Sequence, residues 1–293
     1  MALEKKSPCK VNLLLNILGR RPDGFHELET VLQPVALHDV LTFDSAPASL
    51  QLTCSDPRLP VDGKNLVHRA ATGFLAAAGL DTGLRIHLQK NIPLEAGLGG
   101  GSANAAVTLL ALNEMFASPL APARLHALAA SLGSDVPFFL QDKPALATGR
   151  GEKVEALDFF PALRGAFIFL VHPGFGISTA WSYQQLAHFP GALNGRPGRG
   201  TRLVELLQSK SISEASAEIY NSLESPALEK FPLLDLFKKF FMENGASAAL
   251  MSGSGSTTFA LVENEKVGVK LRDAFVARFG THLWTALLPV AKV

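Results

Sequence analysis

One stretch, residues 93–106, constrains this chain more than any other. It reads Pro-Leu-Glu-Ala-Gly-Leu-Gly-Gly-Gly-Ser-Ala-Asn-Ala-Ala and joins two segments of different periodicity. Upstream, Leu84, Ile86 and Leu88 alternate with Arg85, His87 and Gln89, the pattern of a half-buried strand. Downstream, Val107, Leu110, Ala111 and Met115 recur at helical spacing, with Ser102 and Asn104 as candidate N-terminal caps. Gly97, Gly99, Gly100 and Gly101 let the backbone turn sharply and approach a bulky anion with no Cβ in the way. A helix beginning there aims its unpaired N–H groups and positive dipole end at the same place. The pattern predicts a phosphate cradle; a plain flexible strand-to-helix connection is the alternative.

Two common cradles are excluded. The P-loop needs Lys followed by Ser or Thr directly after its second glycine, and no lysine lies between Asn91 and Gln141. The dinucleotide fingerprint needs a glycine where Ser102 stands.

A formal net charge of +1 argues against a general nucleic-acid or membrane-surface binder, so an anion must be held by a local site. The partner expected is a small molecule; nothing in the sequence signals an oligomeric state. Cys9 and Cys54 are too few for a disulfide framework or a zinc site and fit a reducing compartment. The first residues carry charges but no apolar run after them, and the long uncharged stretches 165–185 and 245–262 are broken by Pro, Gly, Ser and Thr. A cytoplasmic protein is expected. At 293 residues the chain exceeds the usual single domain, so two domains are expected, with a boundary near Asp158.

Strands are predicted at 10–18, 30–37, 40–43 and 50–54, and a helix from Asn65 to Ala78 stopped by Gly79. A further helix runs over 122–132 to Gly133, and a turn between two short strands over 145–153. Beyond Asp158 come a buried strand at 166–171, a helix at 179–187 and a Gly/Pro-rich stretch at 190–202. That stretch carries Arg196, Arg199 and Arg202 and reads as a solvated mobile loop. One long helix is expected between Ser225-Pro226 and Gly245. Strands at 248–251 and 257–262 flank the tight turn Ser252-Gly253-Ser254-Gly255-Ser256, and a helix at 265–279 and a strand at 283–289 follow. Strands and helices mix in both halves, an α+β chain without internal repeats.

Phosphoryl transfer needs an oriented hydroxyl, a group to take its proton, and positive charge against the transferring oxygens. Asp135, in a short loop after a helix stop, is a candidate base; an ordinary cap of a short helix is the alternative. Lys10, opening an otherwise apolar strand, is a candidate cation against the alternative of a solvated lysine. Ser102 is a cap first and a phosphate contact second, His26 taken alone is a structural loop histidine, and Cys9 is an inert buried thiol.

Together these residues resemble the GHMP small-molecule kinases, the family of galactokinase, homoserine kinase, mevalonate kinase and phosphomevalonate kinase. Four blocks carry the resemblance: residues 7–13 with the turn 19–26, residues 93–106, residues 132–139 and residues 250–259. The turn Asp23-Gly24-Phe25-His26 is similar to that of the branch whose acceptor is a cytidine-diphosphate derivative of a small polyol, in the non-mevalonate isoprenoid pathway.

The resemblance implies a two-domain GHMP kinase fold: an ATP-binding α/β domain over 1–158, a ferredoxin-like domain over 159–293, and the active site in the cleft between them. It implies Asp135 as the base, with Lys10 holding it ionised and stabilising developing charge. Pro93, Leu94, Glu95, Ala96, Gly97, Leu98, Gly99, Gly100, Gly101, Ser102 and Ala103 would wrap the ATP phosphates, with Asn65 near the adenine. Asn12, Phe25 and His26 would form the cytidine side of the acceptor pocket, His26 reading the cytosine edge. Tyr183 would supply a second stacking ring and Arg150 would reach the diphosphate. Apart from Glu95, the glycine stretch has no carboxylate to serve as a metal ligand, so magnesium would be held mainly by phosphates and water. The chain departs from the family at Cys9 (usually Ala), Phe25 (usually Tyr) and Ala103 (often Ser).

Overall fold

The computed structural model describes residues 2–47 and 49–290. The chain forms two compact units, and the division cuts across the sequence. The first takes the residues up to Cys9 with Leu37–Pro93 and Gly99–Asp142; the second takes Lys10–Ala36, Leu94–Leu98 and everything from Lys143 onward. Strands β1 (Leu3–Arg20) and β2 (His26–Ala46) are long, and each contributes to both. β2 replaces the two strands expected at 30–37 and 40–43. Its residues 28–32 pair antiparallel with one partner and 40–46 with another. Pro34, which has no N–H to give a ladder, falls between those two registers, so it does not end the strand.

In the first unit β3 (Leu50–Cys54) runs parallel to β4 (Gly83–Gln89), which is antiparallel to the distal part of β2. Leu84, Ile86 and Leu88 are buried and Arg85, His87 and Gln89 exposed, as the alternation predicts. Helix α1 (Leu66–Ala78) is capped by Asn65, whose side chain accepts from the Val67 N–H, and ends at Gly79 with φ 64°. It packs on α2 (Gly100–Met115) and α3 (Pro122–Leu132) through Val67, Ala70, Ala71 and Phe74. α2 begins three residues earlier than a Ser102 cap would place it. Its cap is Gly99, at φ 71°, and Ser102 and Asn104 lie inside the helix. The glycines that allow the turn also allow the first helical turn to start among them.

In the second unit β5 (Ala145–Gly149) joins the proximal part of β2 and pairs with β6 (Lys153–Ala156). After β7 (Phe167–His172) come α4 (Thr179–Gln185), α5 (Pro190–Leu193), α6 (Arg199–Ser209) and α7 (Ile212–Ala215). Strand β8 (Tyr220–Asn221) pairs parallel with β1 at Leu14 and Leu15. The single helix expected before Gly245 is two, α8 (Glu224–Lys230) and α9 (Pro232–Glu243). Phe231, at φ −126° and ψ 73°, breaks it, because the ring of Pro232 excludes helical backbone before it. β9 (Ala248–Met251), β10 (Thr258–Val262), α10 (Glu265–Phe279) and β11 (Trp284–Pro289) complete the described chain.

β11, β7, β10 and β9 form an antiparallel sheet in that order, the 4-1-3-2 arrangement of a ferredoxin-like layer. Phe169 and Val171 on its strands meet Phe237, Phe241, Leu271 and Phe275 on α9 and α10. Each such buried phenylalanine stabilises by about 1.5–3 kcal/mol.

The stretch 190–202 is not loop throughout. It folds into α5 and the start of α6 and is tied down from both sides. Arg196 and Arg199 both pair with Glu218, at 2.9 and 3.1 Å, while Glu29 accepts from the Gly198 and Gly200 N–H groups at 2.7 and 3.0 Å.

Candidate active site

Lys10 is 3 % exposed. Its ammonium donates to Asn12 Oδ1 at 2.6 Å and to the Gly97 carbonyl at 3.2 Å. Residues two apart on a strand share a face, which is why Lys10 and Asn12 meet. Asn12 donates onward to Thr30 Oγ1 at 2.8 Å, and its backbone N–H reaches Ser252 Oγ at 3.4 Å. The bland reading of Lys10 as a solvated lysine therefore fails: its charge is buried and held by oriented oxygens.

The first half of the glycine stretch is fastened through its carbonyls. Ala96 accepts from the Thr257 N–H at 3.2 Å and Leu98 from the Lys10 N–H at 3.0 Å. Gly97 accepts from Ser252 Oγ at 2.9 Å as well as from Lys10. Gly97 must be glycine: its φ is 75°, and a Cβ there would lie 2.1 Å from the Ser252 carbonyl oxygen. The turn after β9 thus grips the loop, with Asn221 bracing it through bonds to the Met251 and Gly253 carbonyls at 2.8 and 2.7 Å.

Four of the residues expected on the acceptor side meet in pairs. The His26 and Tyr183 rings lie 5.0 Å apart, and the Arg150 guanidinium sits 4.5 Å over the Phe25 ring. Phe25 is 51 % exposed, an aromatic face presented to solvent. Burial lowers the His26 pKa below the usual histidine value, and the Arg20 charge adds to that.

In the first unit, α2 enters with no capping side chain and no acidic residue in its first turn, so side chains leave its N-terminal amides to an anion. Ala103 is fully buried and Ser102 half-buried. Asn65 spends its side chain on the α1 cap and on the Pro60 carbonyl, at 2.7 Å. Asp135 lies half-buried in the turn after α3. The short 3-10 helix at Pro137–Leu140 has Val136, not Asp135, at its cap position. Cys9 is fully buried. Among the described residues no group of three or more His, Cys, Asp or Glu is placed to hold a metal ion.

Sequence reasoning missed Thr30, Asn221 and the gripping role of Ser252, and it missed Asp39 and Lys90. The Ser/Gly turn stood out as a second tight turn; the others are single polar residues in strands, with no local pattern to mark them.

Two family models match: the GHMP kinases N terminal domain over residues 65–143 and the GHMP kinases C terminal domain over 203–281. The chain is 44% identical over 262 residues to a 4-diphosphocytidyl-2-C-methyl-D-erythritol kinase from Pelotomaculum thermopropionicum, covering 89% of each chain. It is 40% identical to the protein of the same name from Geobacter metallireducens, covering 90% of this chain and 91% of the relative. A crystal structure of 4-(cytidine 5'-diphospho)-2C-methyl-D-erythritol kinase superposes with TM-score 0.79 at 34% identity, covering 99% of this chain and 100% of that one. A homoserine kinase from Cytophaga hutchinsonii shares the fold, with TM-score 0.72 at 20% identity and coverage of 98% and 93%. Matched by both family models, and by relatives well above 30% identity along most of its length, this chain belongs to the GHMP kinase family.

Proposed function

We propose that the chain transfers the γ-phosphoryl group of ATP to the 2-hydroxyl of 4-diphosphocytidyl-2-C-methyl-D-erythritol, giving the 2-phosphate and ADP in the non-mevalonate isoprenoid precursor pathway. The relatives that carry that name support this, and the observation that carries it here is the ring cluster at the turn 23–26. His26 against Tyr183 and Phe25 under Arg150 offer two aromatic faces and a ring nitrogen, an arrangement suited to a nucleobase. Homoserine and mevalonate have no base to stack.

In this reading Asp135 takes the proton from the acceptor hydroxyl as that oxygen bonds to phosphorus, and the bond to the β-phosphate oxygen breaks to release ADP. Lys10 supplies positive charge against the transferring oxygens. Residues 93–103 wrap the phosphates, those with buried side chains (Ala96, Leu98 and Ala103) through backbone. Asn65 lies near the adenine. Asn12, Phe25, His26, Tyr183 and Arg150 form the acceptor side. Magnesium, when bound, would supply positive charge against the phosphates and would be held mainly by those phosphates and water.

We take 1–158 as the ATP-binding domain and 159–293 as the ferredoxin-like domain, the two family matches falling on either side of Asp158. Residues 1, 48 and 291–293 within those bounds lie outside the described residues. No described helix is long and apolar enough to cross a membrane. We place the reaction in the cytoplasm, on small molecules alone.

The deciding experiment is ADP release with a panel of acceptors. Turnover on the cytidyl compound, and none on homoserine or mevalonate, is the expected result. Strong activity on either of those two and none on the cytidyl compound would overturn the proposal.

A further inference from the structure

Asp39, Lys90 and Asn104 meet in the interior of the first unit. Asp39 is 0% and Asn104 2% exposed, and the Lys90 side chain 5%. Asp39 Oδ2 accepts from the Lys90 ammonium and, at 2.9 Å, from Asn104 Nδ2. Its Oδ1 accepts from the backbone N–H groups of Asn91 and Ile92, at 2.8 and 2.9 Å. Asn104 Nδ2 also reaches Ser7 Oγ at 2.9 Å, and Asn104 Oδ1 accepts from Lys90 at 3.4 Å.

Apart from the bond to Ser7, these bonds join Asp39 to two pieces of chain. One is residues 90–92, which lead into the glycine stretch; the other is α2, which leads out of it. The group touches the first helical turn directly. A Cβ on Gly100 would lie 3.3 Å from Lys90 Nζ and 3.2 Å from Ile92 Cγ2.

A buried ion pair is a poor way to gain stability, since apolar side chains of the same volume often do as well. Apolar packing would not supply directed bonds that fix both ends of one loop. α2 has no capping side chain, so the aim of its N-terminal amides depends on what fixes the helix.

We propose that Asp39, Lys90 and Asn104 are positioning residues for the nucleotide. They clamp the entry and exit of the glycine stretch so that the first amides of α2 meet a polyphosphate at a set distance. This rests on the nucleotide-binding reading and is independent of which alcohol is the acceptor.

The test is calorimetric titration of the full chain with ADP, without acceptor, alongside thermal melts and steady-state kinetics. Asn104→Ala leaves the Asp39–Lys90 pair in place. It should weaken ADP about fivefold and raise the KM for ATP by a similar factor, leaving the acceptor KM unchanged. Lys90→Met strands the Asp39 charge and should weaken ADP about tenfold, with a lower melting temperature. If the folded variants bind ADP as tightly as the wild type and only their melting temperatures fall, the cluster is structural and the inference is wrong. A change in acceptor KM without one in ATP KM overturns it too. A wild-type chain that does not bind ADP would instead defeat the nucleotide reading itself.

Discussion

The imidazole of His26 and the phenol ring of Tyr183 lie 5.0 Å apart with their planes inclined by 37°. Burial, then the neighbouring Arg20, keeps that imidazole neutral to lower pH than a free histidine. As pH falls, the unfolded chain therefore takes its proton first, and stability declines from about pH 6.5 downward until the folded value is passed. Thermal melts should show this acid-side loss, and His26→Gln should flatten it. In kinetics the acceptor KM should rise on the acid side, at lower pH than a free histidine would give, in the wild type and not in the variant. Identical pH profiles for the two proteins would remove His26 from the acceptor site.

Arg150 over Phe25 is a contact made on an exposed ring. A cation–π pair at such a site is worth about 0.5–1 kcal/mol. Arg150→Met should then raise the acceptor KM about two- to fivefold with kcat and ATP KM unchanged. No shift in acceptor KM would remove Arg150 from the acceptor side.

Asp135→Asn keeps size and shape and loses the proton acceptor. Turnover should drop by at least ~10²-fold while ADP titration is unaltered. Wild-type turnover in this variant would end the assignment of Asp135 as base.

Gly97 and Gly101 sit in the same stretch under different constraints. Gly97→Ala puts a methyl 2.1 Å from the Ser252 carbonyl oxygen at a φ of 75°, whereas at Gly101 the nearest atom to such a methyl is 3.7 Å away, on Leu66. Urea melts should show Gly97→Ala destabilised by about 3 kcal/mol or more and Gly101→Ala unchanged or slightly more stable. Equal stabilities for both would contradict the packing of the Ser252 turn on Gly97.

The parts of this fold legible in the sequence were those written in neighbouring residues. The alternation of β4, the Asn65 cap and Gly79 stop of α1, and helix α10 are local patterns, and each stands in the structure with its bounds shifted by at most about one residue. The start of α2 was misplaced because Ser102 and Asn104 are good caps by type, while the actual cap is Gly99, whose left-handed backbone leaves no trace in composition. The stretch 190–202 was misread for another reason: Glu29 and Glu218, which hold it, are remote in sequence. The candidate site divides the same way. The glycine stretch announces itself, but the partners that aim Lys10 (Asn12 and the Gly97 carbonyl) show only once strand and loop are placed together.

A peptide group carries its C=O and the next N–H on opposite edges of one plane. The carbonyls of Ala96, Gly97 and Leu98 are all engaged, so the amide that follows each, of Gly97, Leu98 and Gly99, points away from the group its carbonyl meets. The direction of each of these amides is thus set by what the preceding carbonyl bonds, the Lys10 ammonium included. Rotating one of these peptide planes by half a turn would leave every residue in place and present an oxygen where an anion needs a proton donor. Ser252 and Thr257 act as the latch against that flip.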